Sequence, residues 1–509
     1  MSFESCKWFN KEKIKISEII PYFNIDYKYE QNDFFNDIVH YKSNNNINLS
    51  KKIIINKIKI KNNKLDELIN KKNELIENNN FKKESTKKTA LTKIHKKINN
   101  YNKVVKSRCY QIFPSEKQKN IIFNWMKECT KIYNYCVDNF NMNSKDFNLD
   151  YTKSKLIIFN NLYGNNNKPA PYDILTDEIR AFCSNIKSCL TNLHNNNINH
   201  FEIKYKNTHK SQSILIPSKS INKKGIFINL LKEMKGFDKI NIEHIDSDSR
   251  LIYDKYFNKF YLKCPLYFDR TTINNRKEIV ALDPGEKIFM TYYSFNNCGM
   301  IGYNIREKIL QYESKIRKLQ KIISTKKSNN KKVKNIKRLK RRFHKYYKKI
   351  KNIVKELHNK SALYLVKNYN KILLPEFKTS EMVKGIGKKY IKNKLEEIKD
   401  KPNNERKIVI KEMYKTRRLN KRVKFVLNML SHYKFKQHLI NKCDEYGCNI
   451  EIVTEEYTSK CCSRCGILSD NYKNREKTCI SCNLKIDRDL NGSRNILIKN
   501  SKGNYKIRS

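Results

Sequence analysis

Two pairs of cysteines near the C-terminus constrain this chain more than any other feature. Cys462-x2-Cys465 and Cys479-x2-Cys482 are separated by thirteen residues. Pairs at that separation read as a structural zinc ribbon, one Zn²⁺ held by four thiolates, tetrahedral and closed, with no open position for catalysis. Cys461 adjoins the first pair but is a bystander, because Cys462 has the correct spacing to Cys465. Five residues beyond Cys482 the chain reads Asp487-Arg488-Asp489-Leu490-Asn491, the opening of a helix. Asp487 is most economically its N-cap, which leaves Asp489, inside the first turn, as the better metal ligand.

The rest of the chain is strongly basic. Its 509 residues hold 107 Lys and Arg against 50 Asp and Glu, a formal charge of +57. Such an excess repels itself unless it meets a polyanion. Nucleic acid is the natural one, because each cation that neutralises a phosphate releases counterions. The length allows two to four domains. No apolar run reaches the ~18 residues of a membrane span, and MSFESCKWFN lacks the layout of a secretory signal. The fifteen cysteines are scattered apart from the one cluster, so most read as free core thiols of a reducing compartment, nucleus or cytoplasm.

Residues 1–103 form a Lys/Asn-rich basic extension whose composition predicts a poorly ordered arm. Its short apolar runs (Ile53–Ile55, Ile58, Ile60) could pair as strands or helices. Order begins near Val104, where KVVKSRCYQIF reads as a strand. Ser115 and Gln118 then make a capping-box signature, and Ile121, Ile122, Trp125, Cys129, Ile132, Tyr133 and Cys136 repeat at helical spacing. Phe182, Ile186, Leu190 and Leu193 mark a second helix. Strands are expected over Phe201–Tyr205, over SQSILIP and over 259–268. The stretch 104–272 is thus a strand-rich body with a helical insertion over about 115–200.

From Glu278 the chain reads as an antiparallel meander, EIVALDPGEKIFMTYYS and GMIGYNI. Residues 305–366 are two basic helical segments broken at Ser328-Asn329-Asn330. Phe343, Tyr346 and Tyr347 interleave with their cations, so this hairpin reads as a phosphate-tracking face as readily as a solvated one. KILLPEF (371–377) is a strand, followed by a polar insertion to about 420. A helix stopped by Gly447 comes next, then the strand NIEIVTEEYT (449–458). The order is β-β-β-α-β-α-β, an interrupted ribonuclease H-like pattern.

Phosphodiester cleavage with two Mg²⁺ ions needs three or four carboxylates around sites about 3.5–4 Å apart. Asp283 stops the first strand before Pro284-Gly285, Glu376 lies at the end of the fourth, Glu455 and Glu456 close the fifth, and Asp489 opens the last helix. Strand ends and a helix start can meet at one sheet edge. An Asp before Pro-Gly is by itself an ordinary turn residue; its company gives it weight.

LDPG with its meander, LLPEFKTSEMV, SHYKFKQHL, EEYTSKCCSRCG…CISC and DRDLNGSRNI resemble the RuvC nuclease domain of the TnpB proteins. The LLPxF form more closely resembles Fanzor, their eukaryotic and giant-virus branch. The resemblance is specific over about 277–498, weaker over 104–272 and absent before 100. It implies a transposon-derived, RNA-guided DNA endonuclease, acting as a monomeric ribonucleoprotein with a guide RNA and target double-stranded DNA. Its cell is eukaryotic or giant-virus-infected, and no membrane is involved. Pairing would read the target, while protein reads a short flanking motif and the duplex shape. By motif, Asp283 and Asp489 match the first and third catalytic acids. TnpB proteins commonly carry the middle acid where this chain has Pro375. Glu376 is adjacent, but one step along a strand reverses the face. The Fanzor-like branch suggests Glu455 instead, with Glu376 in reserve.

The resulting expectation is an α/β chain. A strand-rich wedge (a β-barrel) with a helical recognition insertion precedes a ribonuclease H-like RuvC domain at 273–457. A zinc ribbon occupies 458–485, and a final helix and tail occupy 486–509. Asp283, Glu455 and Asp489 would hold two Mg²⁺. The alternative, kept open by Pro375, is a catalytically weakened RNA-guided DNA-binding regulator of the element. A DDE-type DNA-joining transposase fits the acids loosely and leaves the ribbon unexplained.

Overall fold

A computed structural model describes residues 30–31, 38–42, 58–77, 84–141, 150–164, 169–208, 210–241, 245–328, 333–383, 419–468 and 475–500, with short pieces within 396–409. Contacts divide the chain into two units, residues 62–269 and residues 1–61 with 270–509.

In the basic extension, β1 (Glu30–Gln31) pairs with β2 (Ile38–Lys42), and α1 (Ile58–Glu77) and α2 (Glu84–Asn99) follow. Over these residues the extension, expected as a partly disordered arm whose apolar runs could form strands or helices, is strand and helix. Leu65, Leu68, Ile69, Leu75 and Ile76 recur at helical spacing among good helix formers, a pattern that the Asn-rich flanks obscure. Ile58 and Ile60 lie in α1; Ile53–Ile55 fall outside the described residues.

The unit 62–269 continues with β3 (Val104–Ile112), then α3 (Glu116–Asn141), α4 (Tyr151–Tyr163) and α5 (Tyr172–His194). Next come β4 (Gln212–Ile216), β5 (Ile221–Asn222), β6 (Gly225–Ile226), α6 (Ile228–Leu231), β7 (Ser249–Asp254) and β8 (Lys259–Phe268). The capping box forms as its residues require: Ser115 N–H donates to Gln118 Oε1 (2.8 Å), and Gln118 N–H donates to Ser115 Oγ (3.4 Å). Ile122, Trp125, Ile132, Ile179 and Phe182 join strand residues Ile214, Leu251 and Leu262 in one core. Where a barrel was expected, the described strands form an open antiparallel sheet in the order β3-β8-β7-β4. Residues 201–205 are not a strand. Their chain is tied to α3 instead: Tyr205 Oη donates to Asp138 (2.6 Å), and Lys206 N–H donates to Asn134 (2.7 Å). Alternation alone could not distinguish a strand from a chain held by helix side chains.

The second unit follows the order read from the sequence. Strands β9 (Lys277–Pro284), β10 (Met290–Ser294) and β11 (Asn297–Ile301) lead to helices α7 (Ile305–Ser328) and α8 (Val333–Asn368). Then come β12 (Tyr369–Pro375), α9 (Thr379–Val383), α10 (Lys421–Leu430), α11 (His432–Tyr446) and β13 (Asn449–Val453). The unit ends with β14 (Glu476–Thr478), β15 (Lys485–Asp487) and α12 (Arg488–Asn500). The large sheet runs β1-β2-β11-β10-β9-β12-β13. Its short-looped strands β9, β10 and β11 are antiparallel, while β12, reached through helices, runs parallel to β9 and to β13. Side chains alternate between two cores. Val280, Leu282, Ile372 and Leu374 face α7, α8, α10 and α11, whereas Ile279, Ala281 and Leu373 face α12.

Candidate metal centres

The alternation that sorts the two cores also aims the first acid. Asp283 continues the Ile279–Ala281 series, so its carboxyl faces α12 at the end of β9. The approach is close: a Cβ built on Gly492 of α12 would come within 2.4 Å of Asp283 Oδ2. Asp487 N-caps this helix, its Oδ1 accepting from the N–H groups of Asp489 (2.8 Å) and Leu490 (3.3 Å). That cap sets the first turn, and with it Asp489.

Asp283, Asp489 and Glu455 come together from three separate segments. Burial pushes the Asp283 carboxyl well above the usual carboxylate range, and the Asp489 and Glu455 carboxylates push it further. Asp489 is raised by burial and by Asp487, against the pull of Arg475. Glu455 is raised by burial. The fifth strand is shorter than expected, because β13 ends at Val453 and both glutamates lie beyond it. The chain turns there: Glu455 O accepts from Thr458 N–H (3.2 Å) and Oγ1 (2.8 Å). This turn, rather than strand alternation, separates the two side chains. Glu456 is exposed and lies 3.6 Å from Lys499. Glu376 is also exposed, with Lys378 at 4.0 Å. Pro375 continues the parity of Leu373 toward α12, so Glu376 has the opposite parity.

Arg475 was not singled out by sequence reasoning. Entering β14 from the ribbon, its Nε donates to Asp487 Oδ2 (2.8 Å), and a terminal nitrogen stands 3.8 Å from Asp489 Oδ2. In a chain with 107 Lys and Arg, one more arginine carries no local signal.

The four cysteines form the second centre. Their ligand atoms all lie within 4.8 Å of one another, with Cys462 Sγ–Cys482 Sγ at 3.7 Å and Cys465 Sγ–Cys479 Sγ at 3.5 Å. A tetrahedron with Zn–S arms of about 2.3 Å has edges of about 3.8 Å, so the donor set fits zinc. Both knuckles turn alike. Gly466 (φ 78°) and Asn483 (φ 53°) follow the second cysteine of each pair in the left-handed region. Their N–H groups donate to Cys462 O (3.0 Å) and Cys479 O (2.9 Å). Cys461 is buried with its thiol directed at Gly466 O (3.4 Å). Among the described residues no carboxyl group is gathered as tightly as these thiols.

Behind the Asp-Pro-Gly turn, Phe289 stacks on His432 (5.0 Å) and His358 (5.4 Å). Burial pushes both imidazoles down, His432 to about 3 and His358 to about 4.

The unit is therefore a mixed α/β domain with acids converging at one sheet end and a four-cysteine ribbon inserted before its last helix. The family model for the Cas12f1-like TNB domain matches residues 432–496, which span α11, β13, the ribbon and most of α12. The chain is 30% identical over 441 residues to the TnpB-like protein L79 of Acanthamoeba polyphaga mimivirus, covering 83% of this chain and 78% of that one. TnpB-like protein L770 of the same virus is 29% identical over equal shares. The chain belongs to the TnpB-like family. A solved Cas12f1–sgRNA–target DNA complex overlaps 79% of this chain and 99% of its own at 13% identity and a TM-score of 0.38, too loose to add to that assignment.

Proposed function

We propose that this protein is an RNA-guided DNA endonuclease of the TnpB kind, encoded by or derived from a transposable element. Its nuclease unit would be ribonuclease H-like, with a RuvC-type centre. The observation that carries the reading is the convergence of Asp283, Glu455 and Asp489 at one end of the sheet, each carboxyl raised. Like charges gathered in a partly buried place are costly unless a cation neutralises them. The set fits hard divalent ions, and its looser gathering suits ions shared with phosphate oxygens better than one closed cage. Bound there, two Mg²⁺ would supply activation of water and neutralisation of charge on the cut phosphate. The chain's own part is to hold the three carboxylates and to place Arg475 beside them, where it balances Asp487 and Asp489 until metal arrives. Zinc in the ribbon would be structural.

Guide RNA and target DNA would be held by the wedge-and-recognition body at 104–272 and by the basic hairpin of α7 and α8. Helix α8 has 36 residues, a length of roughly 54 Å at ~1.5 Å per residue. Lys315 and Lys349 lie 5.6 and 5.9 Å from the Tyr312 ring, and Arg342 6.0 Å from Tyr346, so cations and aromatic faces are interleaved as phosphate and base contacts require.

The test is cleavage of double-stranded DNA by the purified ribonucleoprotein in Mg²⁺, with the co-purified RNA sequenced to define the target. Asp283→Ala and Asp489→Ala are expected to abolish cutting and retain DNA binding; full activity in either would overturn the assignment. Pro375, on the face of Asp283, favours a second reading, a DNA-binding regulator with a weakened centre. Target binding without any cutting by the wild type would select it.

A further inference from the structure

We propose that Asn491 and Asn495 form an amide clamp that couples the metal-loaded ribbon to the acid centre, so that they act as positioning residues for both Glu455 and Asp489. The proposal rests on the ion sites assigned above. Both asparagines are fully buried on α12, one helical turn apart and within two turns of Asp489. Asn491 Nδ2 donates to Cys461 O (2.9 Å) and Thr458 O (3.4 Å), while its Oδ1 accepts from Ser463 N–H (3.0 Å). Asn495 Nδ2 donates to the same carbonyls, Thr458 O and Cys461 O, both at 2.8 Å.

These partners are not scattered. Cys461 and Ser463 flank the ligand Cys462, so the clamp grips the first knuckle from both sides. Thr458 in turn holds the Glu455 turn through its N–H and Oγ1. One pair of amides thus joins the helix that carries Asp489, the turn that carries Glu455 and the knuckle that the ribbon metal shapes. Apolar residues would fill the same space with less desolvation if packing were the only requirement. The buried Lys477 adds a third donor to Cys461 O (2.9 Å), leaving that carbonyl fully engaged. Loss of ribbon metal relaxes the knuckle, withdraws the acceptors and releases the two acids from their common frame.

The test uses the full ribonucleoprotein and Asn495→Asp, which keeps the shape but replaces the donor with an acceptor. Two readouts avoid cleavage: the rate of zinc release to a coloured chelator, and Mn²⁺ affinity from the EPR signal of the free ion. Each is expected to worsen by about tenfold or more, as for other residues that orient metal ligands from the next shell out. Guide RNA retention and target binding should stay at wild-type level. Stripping zinc from the wild type should weaken Mn²⁺ binding equally, and stripping it from Asn495→Asp should add nothing, the non-additivity of two steps in one path. Should Asn495→Asp fail to fold, Asn491→Ser and zinc-stripped wild type carry the same comparison. Unchanged Mn²⁺ affinity after zinc loss would overturn the proposal, as would full additivity. A wild type that binds Mn²⁺ but never cuts would defeat the nuclease reading and leave the coupling measurable.

Discussion

The two candidate metal centres of this protein are built in opposite ways. The four thiols come from a single stretch, residues 462–482, and two backbone knuckles of the same form aim them. The three acids come from a strand end, a turn and a helix start far apart in the chain, and each holds its proton more tightly than an ordinary carboxyl. The ribbon is a local structure that a bound metal would stabilise outright. The acid centre is a strained convergence that the rest of the fold must hold, as functional sites often are.

Four comparisons test that contrast. The largest contrast is between Cys479→Ser and Asp283→Ala. The first should lose zinc and unfold the ribbon, and cutting should go with it. The second should cut at least ~10³-fold more slowly, the value of several kcal/mol of lost metal ligation. It should keep its zinc and gain on the order of 1 kcal/mol of thermal stability, because a repelled carboxyl is gone. Calorimetry and zinc content on the same samples check both; a destabilised Asp283→Ala would contradict the strained view of the site.

Gly492→Leu comes next. Its side chain would enter the space of Asp283 Oδ2, where even a Cβ comes within 2.4 Å. Cleavage should fall by about 10²-fold or more with ribbon zinc intact, since misplacement of about 1 Å at a reacting group costs that much. Glu455→Ala against Glu376→Ala then decides the middle acid. The first should lose about 10²-fold in rate, whereas the exposed Glu376 should be dispensable to within twofold, as measured by single-turnover cleavage.

The smallest effect is on stability against pH. His358 and His432 are held near 4 and 3 by burial, against an ordinary value of 6.5. The unfolded chain therefore takes up more protons between those values. The contribution of these two histidines to stability is full above about pH 6.5 and falls as pH drops toward 4. From pH 7 to pH 5 the urea midpoint of His432→Phe, which can still stack on Phe289, should rise relative to that of the wild type, because the variant lacks the buried imidazole.

Much of this was legible without coordinates. Cysteine spacing defines the ribbon, because its ligands lie within single turns of one another. The Ser115–Gln118 box and the Asp487 cap are equally local, and they form with the partners expected. The strand β8 occupies Lys259–Phe268 as its pattern predicts. Alternation failed where no neighbouring strand was present to pair: residues 201–205 are held by α3 side chains, and β13 ends before Glu455. In the N-terminal extension, composition hid a helical period.

Sequence by itself determined the ligand chemistry: four thiols at knuckle spacing, acids at strand and helix ends, and a charge that calls for nucleic acid. Tertiary structure alone decided which of those acids meet. Glu455 and not the exposed Glu376 adds its charge to that on Asp283, Arg475 reaches back from the ribbon, and Asn491 and Asn495 grip the knuckle. The reason is physical. A knuckle or a cap is set by a few neighbouring dihedrals, whereas a convergence across two hundred residues depends on sheet register and on where one helix lands, which no local period encodes.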